Sequence, residues 1–218
     1  YSIETIYDSS VTDAISLTDN MYEKVLDIAT VKDEFYCLTP KTIFKTSYDT
    51  GIVDTVGTNS GFTEILSHED SLILWTKNSK NIVSKLDLST GEITNLFKPT
   101  NFIQNLRIFN DSIVYIEGNT TVKIYDFTTK QSRELYSGTG IQDVVLYNDT
   151  ELFVAKSAAS NPRSPLINVN TKTKETVMLP ITGNVAFSLS YDGSTNLIYG
   201  IQVLSDTEDS NTIIFSYN

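Results

Sequence analysis

Short apolar runs alternate with polar clusters along the whole chain, and this alternation repeats at a regular spacing. At five places an Asp stands between two runs that are rich in β-branched and aromatic residues. These marker residues are Asp33, Asp70, Asp111, Asp149 and Asp192, with spacings of 37, 41, 38 and 43 residues. Two such runs joined by a tight polar turn are typical of a β-hairpin, so the sequence predicts five hairpins in series.

A second strand–turn–strand unit follows each hairpin. Residues 85–96 and 124–135 align with each other, and residues 167–177 and the shorter 46–53 follow the same frame. Each repeat therefore contains four short strands, which we name a to d in chain order and which together have the content of one propeller blade. No segment shows a helical period over a dozen residues, so the predicted fold class is all-β.

The two ends of the chain predict how the repeats close. The last repeat reaches strand c at residues 212–218, whereas residues 2–7 look like an isolated strand d. Pairing the N-terminal strand with the last repeat completes a ring of five blades with four antiparallel strands each, and it leaves no open edge in the last blade. The predicted limits of the blades are 184–218 with 2–7, 24–57, 62–98, 101–136 and 141–180.

These repeats resemble those of the β-propeller superfamily over nearly the whole chain. The resemblance rests on the five Asp hairpins and on turns such as Asp87-Leu-Ser-Thr-Gly91, which many propeller families share. The Gly-His and Trp-Asp signature of WD repeats is not present in the sequence. The resemblance implies a five-bladed β-propeller, and five-bladed members include a lectin, tachylectin, and glycosidases such as arabinanases. Likeness of fold does not transfer their function to this chain.

Composition narrows the class of partner. The chain has 218 residues, with 16 Lys and Arg against 27 Asp and Glu, which gives a net charge of −11. Nucleic acids and anionic membrane surfaces are bound through clustered basic residues, so we expect neither as a partner. No apolar run approaches the roughly 18 residues of a membrane helix, so we expect no direct membrane insertion. We predict a single domain over 1–218 that is monomeric and, since it begins with Tyr1, part of a larger chain.

Strand a contains the strongest candidate site. Six residues before the five markers stand Asp27, Glu64, Asn105, Asp143 and Ala186, so four of the five are acidic or amide. Strand a is innermost in a propeller, and one residue per blade at equal depth would form a ring that binds a ligand in the central channel. Three interpretations stay open: a Ca²⁺ ion held by carboxylate and amide oxygens, glycoside chemistry by paired carboxylates, or a polar wall around water.

Long connections are candidates for partner binding. Residues 9–23, 156–165 and 205–211 exceed the other connections and would emerge on one rim, which we call the loop rim. Arg163 is a candidate ligand contact on this rim. Trp75, at the end of a strand b, is a second candidate, with packing between blades as the alternative.

His68 and Cys37 are the only residues of their types. His68 falls in a predicted a–b turn on the rim opposite the loop rim, so we expect an exposed turn residue. Cys37 falls within a strand b, so we expect it to act as a small buried hydrophobic residue. One Cys cannot form an internal disulfide, and it therefore indicates neither an oxidising nor a reducing compartment.

Together these features predict a non-catalytic binding or interaction module of a secreted or cell-envelope protein, with a protein or glycan partner. The Thr- and Asn-rich strands favour an extracellular setting. Two alternatives stay open: a glycan-directed enzyme or lectin that uses the mouth of the channel, and a cytosolic scaffold for protein interactions. No cofactor is expected apart from Ca²⁺ in the first interpretation of the ring.

Overall fold

The computed structural model describes residues 24–47, 53–157, 166–179, 185–192, 194–203 and 212–217. The regular secondary structure of these residues is β-strand. The strands form five antiparallel sheets that follow one another along the chain, four with four strands and the fifth with three described strands. The predicted all-β class and the four-stranded repeat are therefore confirmed.

Each sheet is built from consecutive strands. The first sheet contains β1 (Asp27–Val31), β2 (Glu34–Leu38), β3 (Thr42–Ser47) and β4 (Val53–Thr58). The second contains β5 (Glu64–His68), β6 (Ser71–Trp75), β7 (Val83–Asp87) and β8 (Ile93–Phe97). The third contains β9 (Ile103–Phe109), β10 (Ser112–Glu117), β11 (Thr121–Asp126) and β12 (Gln131–Ser137). The fourth contains β13 (Ile141–Leu146), β14 (Glu151–Lys156), β15 (Leu166–Asn170) and β16 (Thr176–Met178). The fifth contains β17 (Val185–Asp192), β18 (Leu197–Val203) and β19 (Thr212–Tyr217).

The sheets pack face to face in chain order. The inner strand β1 contacts β5, β5 contacts β9, β10 contacts β13, and β13 contacts β17. Four apolar clusters fill the four interfaces between successive sheets. The second strands β6 and β10 are apolar and almost wholly buried because a sheet covers each of their faces, whereas the outer strand β16 is exposed.

The length of the a–b hairpin differs between sheets. Val31 pairs with Glu34 and His68 with Ser71, so two residues form the tip in the first two sheets. In the fifth sheet Asp192 itself pairs with Leu197, so the tip is longer there and includes the turn residues 194–196. The marker Asp therefore belongs to the turn in the first two sheets but to the strand in the fifth.

Two predictions about the ends lie outside the described residues. These are the strand at residues 2–7 and its pairing with the fifth sheet. The described part of the chain contains no helix with the length and apolar character that a membrane crossing needs.

Candidate functional site

The innermost strand of each sheet has a strand neighbour on one side only, so its other edge presents unpaired backbone groups toward the centre. Side chains supply hydrogen-bonding partners for backbone N–H groups of this edge. Asp27 accepts the N–H of Ile28 at Oδ1 (2.9 Å) and, across the interface, the N–H of Ile65 at Oδ2 (2.9 Å). The carboxylate of the first sheet therefore holds the inner strand of the second sheet.

The same contact recurs between the fourth and fifth sheets. Asp143 accepts the N–H of Val144 at Oδ1 (2.8 Å) and the N–H of Leu189 at Oδ2 (2.7 Å). In the third sheet the N–H of Leu106 is accepted by Asn105 Oδ1 at 2.8 Å. Each N–H belongs to the apolar residue that follows the candidate polar position in its sheet.

The pairing of the hairpins corrects one member of the predicted set. Asp27, Glu64 and Asn105 each stand four residues before the last paired residue of strand a, which is Val31, His68 and Phe109. Counted from Asp192, the equivalent residue of the fifth sheet is Ser188 and not Ala186. Counting six residues back from the marker Asp selects the wrong residue in the fifth sheet, because Asp192 belongs to the strand there and not to the turn. Asp143 stands three residues before Leu146, the last paired residue of its strand, and its contacts with the N–H groups of Val144 and Leu189 place it in the same set as Asp27. We call Asp27, Glu64, Asn105, Asp143 and Ser188 the inner-edge positions.

Asp143 is the most highly connected inner-edge residue. Its side chain is 4% exposed, and its two oxygens accept five hydrogen bonds. Besides the two backbone N–H groups, the donors are Asn105 Nδ2 at 2.7 Å, Arg107 Nε at 3.3 Å and Arg107 Nη2 at 2.7 Å. A buried carboxylate is tolerated only with such partners, so Asp143 is a structural anion of the interface.

Arg107 extends this network across three sheets. It belongs to the third sheet, binds Asp143 of the fourth, and donates from Nη2 to the carbonyl of Leu189 in the fifth at 2.7 Å. Aligning the repeats did not identify Arg107 as a candidate, because the corresponding residue of strand a is not basic in the other four sheets. Its signal was a basic residue two positions after an inner-edge residue, with apolar neighbours on both sides.

Glu64 differs from the other acidic positions. Its carboxylate makes no hydrogen bond to another described residue, and its side chain is partly buried. Burial raises the pKa of Glu64 above its usual value, the nearby Asp27 charge raises it further, and Lys77 opposes the shift. The structure therefore brings Asp27 close to Glu64, and Asn105 close to Asp143, as two separate pairs.

The described residues give a calcium ion little to bind. They contain no group of three or more His, Cys, Asp and Glu side chains arranged to hold a metal. At Asp143 the guanidinium of Arg107 supplies the positive charge that the first interpretation assigned to Ca²⁺. Calcium binding stays a prediction from the sequence, and the geometry favours Arg107 as the counter-charge.

Cavities border the sheets in the described part of the chain. One of about 510 Å³ lies between the inner strands of the second to fifth sheets, beside Asn105 and Arg107. One of about 550 Å³ between the first two sheets is lined by the ion pairs Lys32–Asp70 and Lys45–Glu34. One of about 500 Å³ lies against the third sheet and includes Asp149 of the fourth.

The prediction that His68 is an exposed turn residue is wrong. His68 is 8% exposed, because β5 continues through it to its pair with Ser71. Its ring stacks on Phe127 of the third sheet at 4.5 Å between centroids, and Nε2 lies 3.8 Å from Asp111 Oδ1. The imidazole is therefore part of the packing between the second and third sheets.

The remaining candidates divide between core and undescribed residues. Trp75 is 4% exposed and packs in the cluster between the second and third sheets, so the packing alternative is confirmed and no surface contact is available to it. Cys37 is buried as predicted, and burial raises the pKa of its thiol. Arg163 lies outside the described residues.

Comparison with known proteins identifies the fold. No family model and no curated protein sequence matches the chain. Solved structures that match include hydrazine synthase from Kuenenia stuttgartiensis (TM-score 0.65, 12% identity, covering 89% of this chain and 63% of that one). TolB from Acinetobacter baumannii gives a TM-score of 0.61 at 14% identity, covering 89% and 52%. The N-terminal domain of Nup159 gives 0.59 at 13% identity, covering 89% and 58%.

These similar structures are β-propeller-type proteins, and together with the repeated four-stranded sheets they show that the chain has a β-propeller-type fold. The chain spans less than two thirds of the length of each of the three. At such low identity the likeness shows the fold alone. The repeated sheets therefore define the fold class, and the function has to be argued from the residues that lie between the sheets.

We expect the loss of the Asp143 carboxylate to be much more destabilising than the loss of Asp27. Asp143→Ala leaves the Arg107 charge and two backbone N–H groups without their partner, which predicts a loss of about 3–5 kcal/mol in the free energy of unfolding. Asp27→Ala, which removes two backbone hydrogen bonds at a less buried site, predicts about 1–2 kcal/mol. Urea denaturation measures both, and equal losses in the two variants would contradict the structural role of the Arg107–Asp143 pair.

The raised pKa of Glu64 predicts a pH-dependent effect of one substitution. A carboxyl whose pKa is higher in the folded state contributes stability below its unfolded pKa, and this is lost as pH rises through the folded value. Glu64→Gln should therefore raise the melting temperature at pH 7 by a few degrees and change it little below the ordinary Glu pKa of 4.5. The exposed Glu92→Gln serves as control, and a gain that persists at the lower pH would refute the electrostatic cause.

Proposed function

We propose that this protein is a non-catalytic binding module that holds a protein partner on a β-propeller scaffold of the cell envelope or the extracellular space. The observation that supports this most directly is the use of the inner-edge carboxylates. Asp143 accepts five hydrogen bonds and Asp27 accepts two, so both serve to join sheets. Rigid sheets joined in this way suit presentation of a fixed surface.

The same observation argues against the glycosidase alternative. Glycoside hydrolysis needs two carboxyl groups free to exchange protons or to attack, about 5–5.5 Å apart in retaining enzymes and about 6.5–9.5 Å in inverting ones. Asp143 is buried and paired with Arg107, and Asn105 beside it is an amide. Among the described inner-edge residues, Glu64 alone has a carboxyl without a hydrogen-bonding partner.

The solved structures support a protein partner and an envelope setting. One match is a complex that contains Nup159 together with Dbp5 and Gle1 (TM-score 0.57, 14% identity, covering 87% of this chain and 56% of that one). Another is the extracellular domain of a two-component system from B. thetaiotaomicron (TM-score 0.62, 12% identity, covering 88% and 27%). The first is a complex of several proteins and the second is an extracellular domain, and neither identifies the partner of this chain.

The loop rim is the proposed contact surface, because the long connections 9–23, 156–165 and 205–211 meet there in the predicted blade order. Once a partner has been isolated with the full chain as bait, Arg163→Glu should weaken its binding at least about fivefold without lowering the melting temperature. The matched control is Lys130→Glu, an exposed turn residue with the same change of charge on the opposite rim. Equal weakening by both variants would contradict the loop rim as the contact surface.

We further propose that the five sheets close into a five-bladed ring, with residues 2–7 as the fourth strand of the last blade. Closure would bury a face of the first sheet that is uncovered among the described residues. Ile28 is 52% exposed, whereas the residues at its place in the other sheets, Ile65, Leu106, Val144 and Leu189, are 1–3% exposed because a preceding sheet covers them. Burial of one Ile side chain is worth about 1.5–3 kcal/mol, which favours a sheet against this face of β1.

Closure predicts that Ile28 behaves in solution as a buried residue. Ile28→Ala should lower the free energy of unfolding by about 2–4 kcal/mol, as a core truncation does. The control is Ile93→Ala at a partly exposed place on the outer strand β8, where a change within about 0.5–1 kcal/mol is expected.

The free energy of unfolding of Ile28→Ala and of its parent is then also measured in a chain that lacks residues 1–8. If the N-terminal strand completes the ring, this deletion should unfold the protein or remove the difference between Ile28→Ala and its parent. A small effect of Ile28→Ala in the full chain would overturn closure over this face.

A further inference from the structure

The cavity of about 510 Å³ at the centre of the sheets has the size and lining of a small-molecule site. Its walls come from the inner strands β5, β9, β13 and β17, with one residue of β10. Most of the lining is apolar, namely Leu66, Leu106, Ile108, Phe109, Val114, Val144, Val145 and Leu146. Ser67 of the second sheet and Ser190 of the fifth also line this space.

Arg107 has unused hydrogen-bonding capacity in this cavity. A guanidinium has five N–H donors. Nε binds Asp143 Oδ1, and the two N–H groups of Nη2 bind Asp143 Oδ2 and the carbonyl of Leu189. The two N–H groups of Nη1 make no hydrogen bond to a described residue, while a third of the side chain is exposed and Arg107 lines the cavity.

Arg107 is the charged group that borders the cavity, and its counter-ion Asp143 is not among the lining residues. No other described residue that lines the cavity is charged. Asp143 lies behind Arg107, buried, and its charge is shared by two backbone N–H groups and the amide of Asn105 as well as by the guanidinium. A cation is therefore disfavoured in the cavity, and an anionic head group has two free donors to bind.

We propose that this cavity binds a small amphipathic carboxylate, with the carboxylate on Arg107 Nη1 and the apolar part against the wall of β9 and β13. Ser67 and Ser190 line the same space, and their hydroxyls can supply further donors. The ligand class follows from one available guanidinium edge in a largely apolar cavity. The site lies between the sheets and not on the loop rim, so this inference stands or falls independently of the protein partner proposed above.

The probes are hydrocinnamate and hexanoate, each compared with its alcohol of the same carbon skeleton, and ligand-detected NMR measures binding to the full chain. We expect the acids to bind with a dissociation constant of about 1 mM or lower, and the alcohols to bind at least about tenfold more weakly, since the alcohols lack the charge that pairs with Arg107. Failure of both acids to bind at about 10 mM, or equal binding of acids and alcohols, would overturn the proposal.

Variants at the serines test the site without disturbing the Arg107–Asp143 pair. Ser190→Asp places a carboxylate next to Leu189, whose carbonyl Arg107 already contacts, so the new side chain can take Nη1 and exclude the ligand. Ser67→Asp introduces the same charge from the opposite wall. Each should weaken binding of the acids at least about tenfold.

The matched control is Ser60→Asp, an exposed loop residue outside the cavity, which should bind the acids as the parent does. Melting temperatures establish that all three variants are folded. Undiminished binding by both Ser190→Asp and Ser67→Asp would place the ligand elsewhere and overturn the site.

Discussion

The rest of this structure depends on one requirement, which is that the open inner edge of each sheet must find hydrogen-bonding partners. A β-sheet that ends near a central axis has backbone N–H and C=O groups that no further strand covers. In this protein the partners include side chains at the inner-edge positions, and in β9 the backbone of Asn78 and Ser79 also pairs with Ile103. Asp27 and Asp143 each hold an N–H of their own sheet and an N–H of the next sheet. Satisfying the edge and joining neighbouring sheets are therefore one and the same interaction.

This double role decides how polar residues near the centre should be interpreted. A set of carboxylates around a channel suggests metal binding or acid–base catalysis, but a carboxylate whose lone pairs are occupied by N–H groups is unavailable for either. Asp143 is such a group. Arg107, which the fold uses to compensate it, is the residue that retains free donors. At this position the hydrogen-bonding groups without a described partner therefore belong to Arg107 and not to Asp143.

Strand content and blade order could be predicted from the sequence because hairpins are local: alternating apolar runs and a polar turn lie within about a dozen residues. The contacts of the inner edge could not, because they join residues 38 or 46 positions apart, such as Asp27 to Ile65 and Asp143 to Leu189. A two-residue difference in one hairpin tip moved the fifth position from Ala186 to Ser188. His68 was misplaced for the same kind of reason, since one further paired residue in β5 converts a turn side chain into an interface side chain.

The inner-edge contacts also make the order of the repeats meaningful. An Asp or Asn at this position accepts the N–H of its own sheet, as Asp27, Asn105 and Asp143 do. Glu64 and Ser188 do not, and in both of their sheets that N–H is held by the Asp of the preceding repeat. A repeat with Glu or Ser therefore has to follow one with Asp. Neighbouring repeats are in this way mutually dependent, and exchanging two of them would separate a donor from its acceptor.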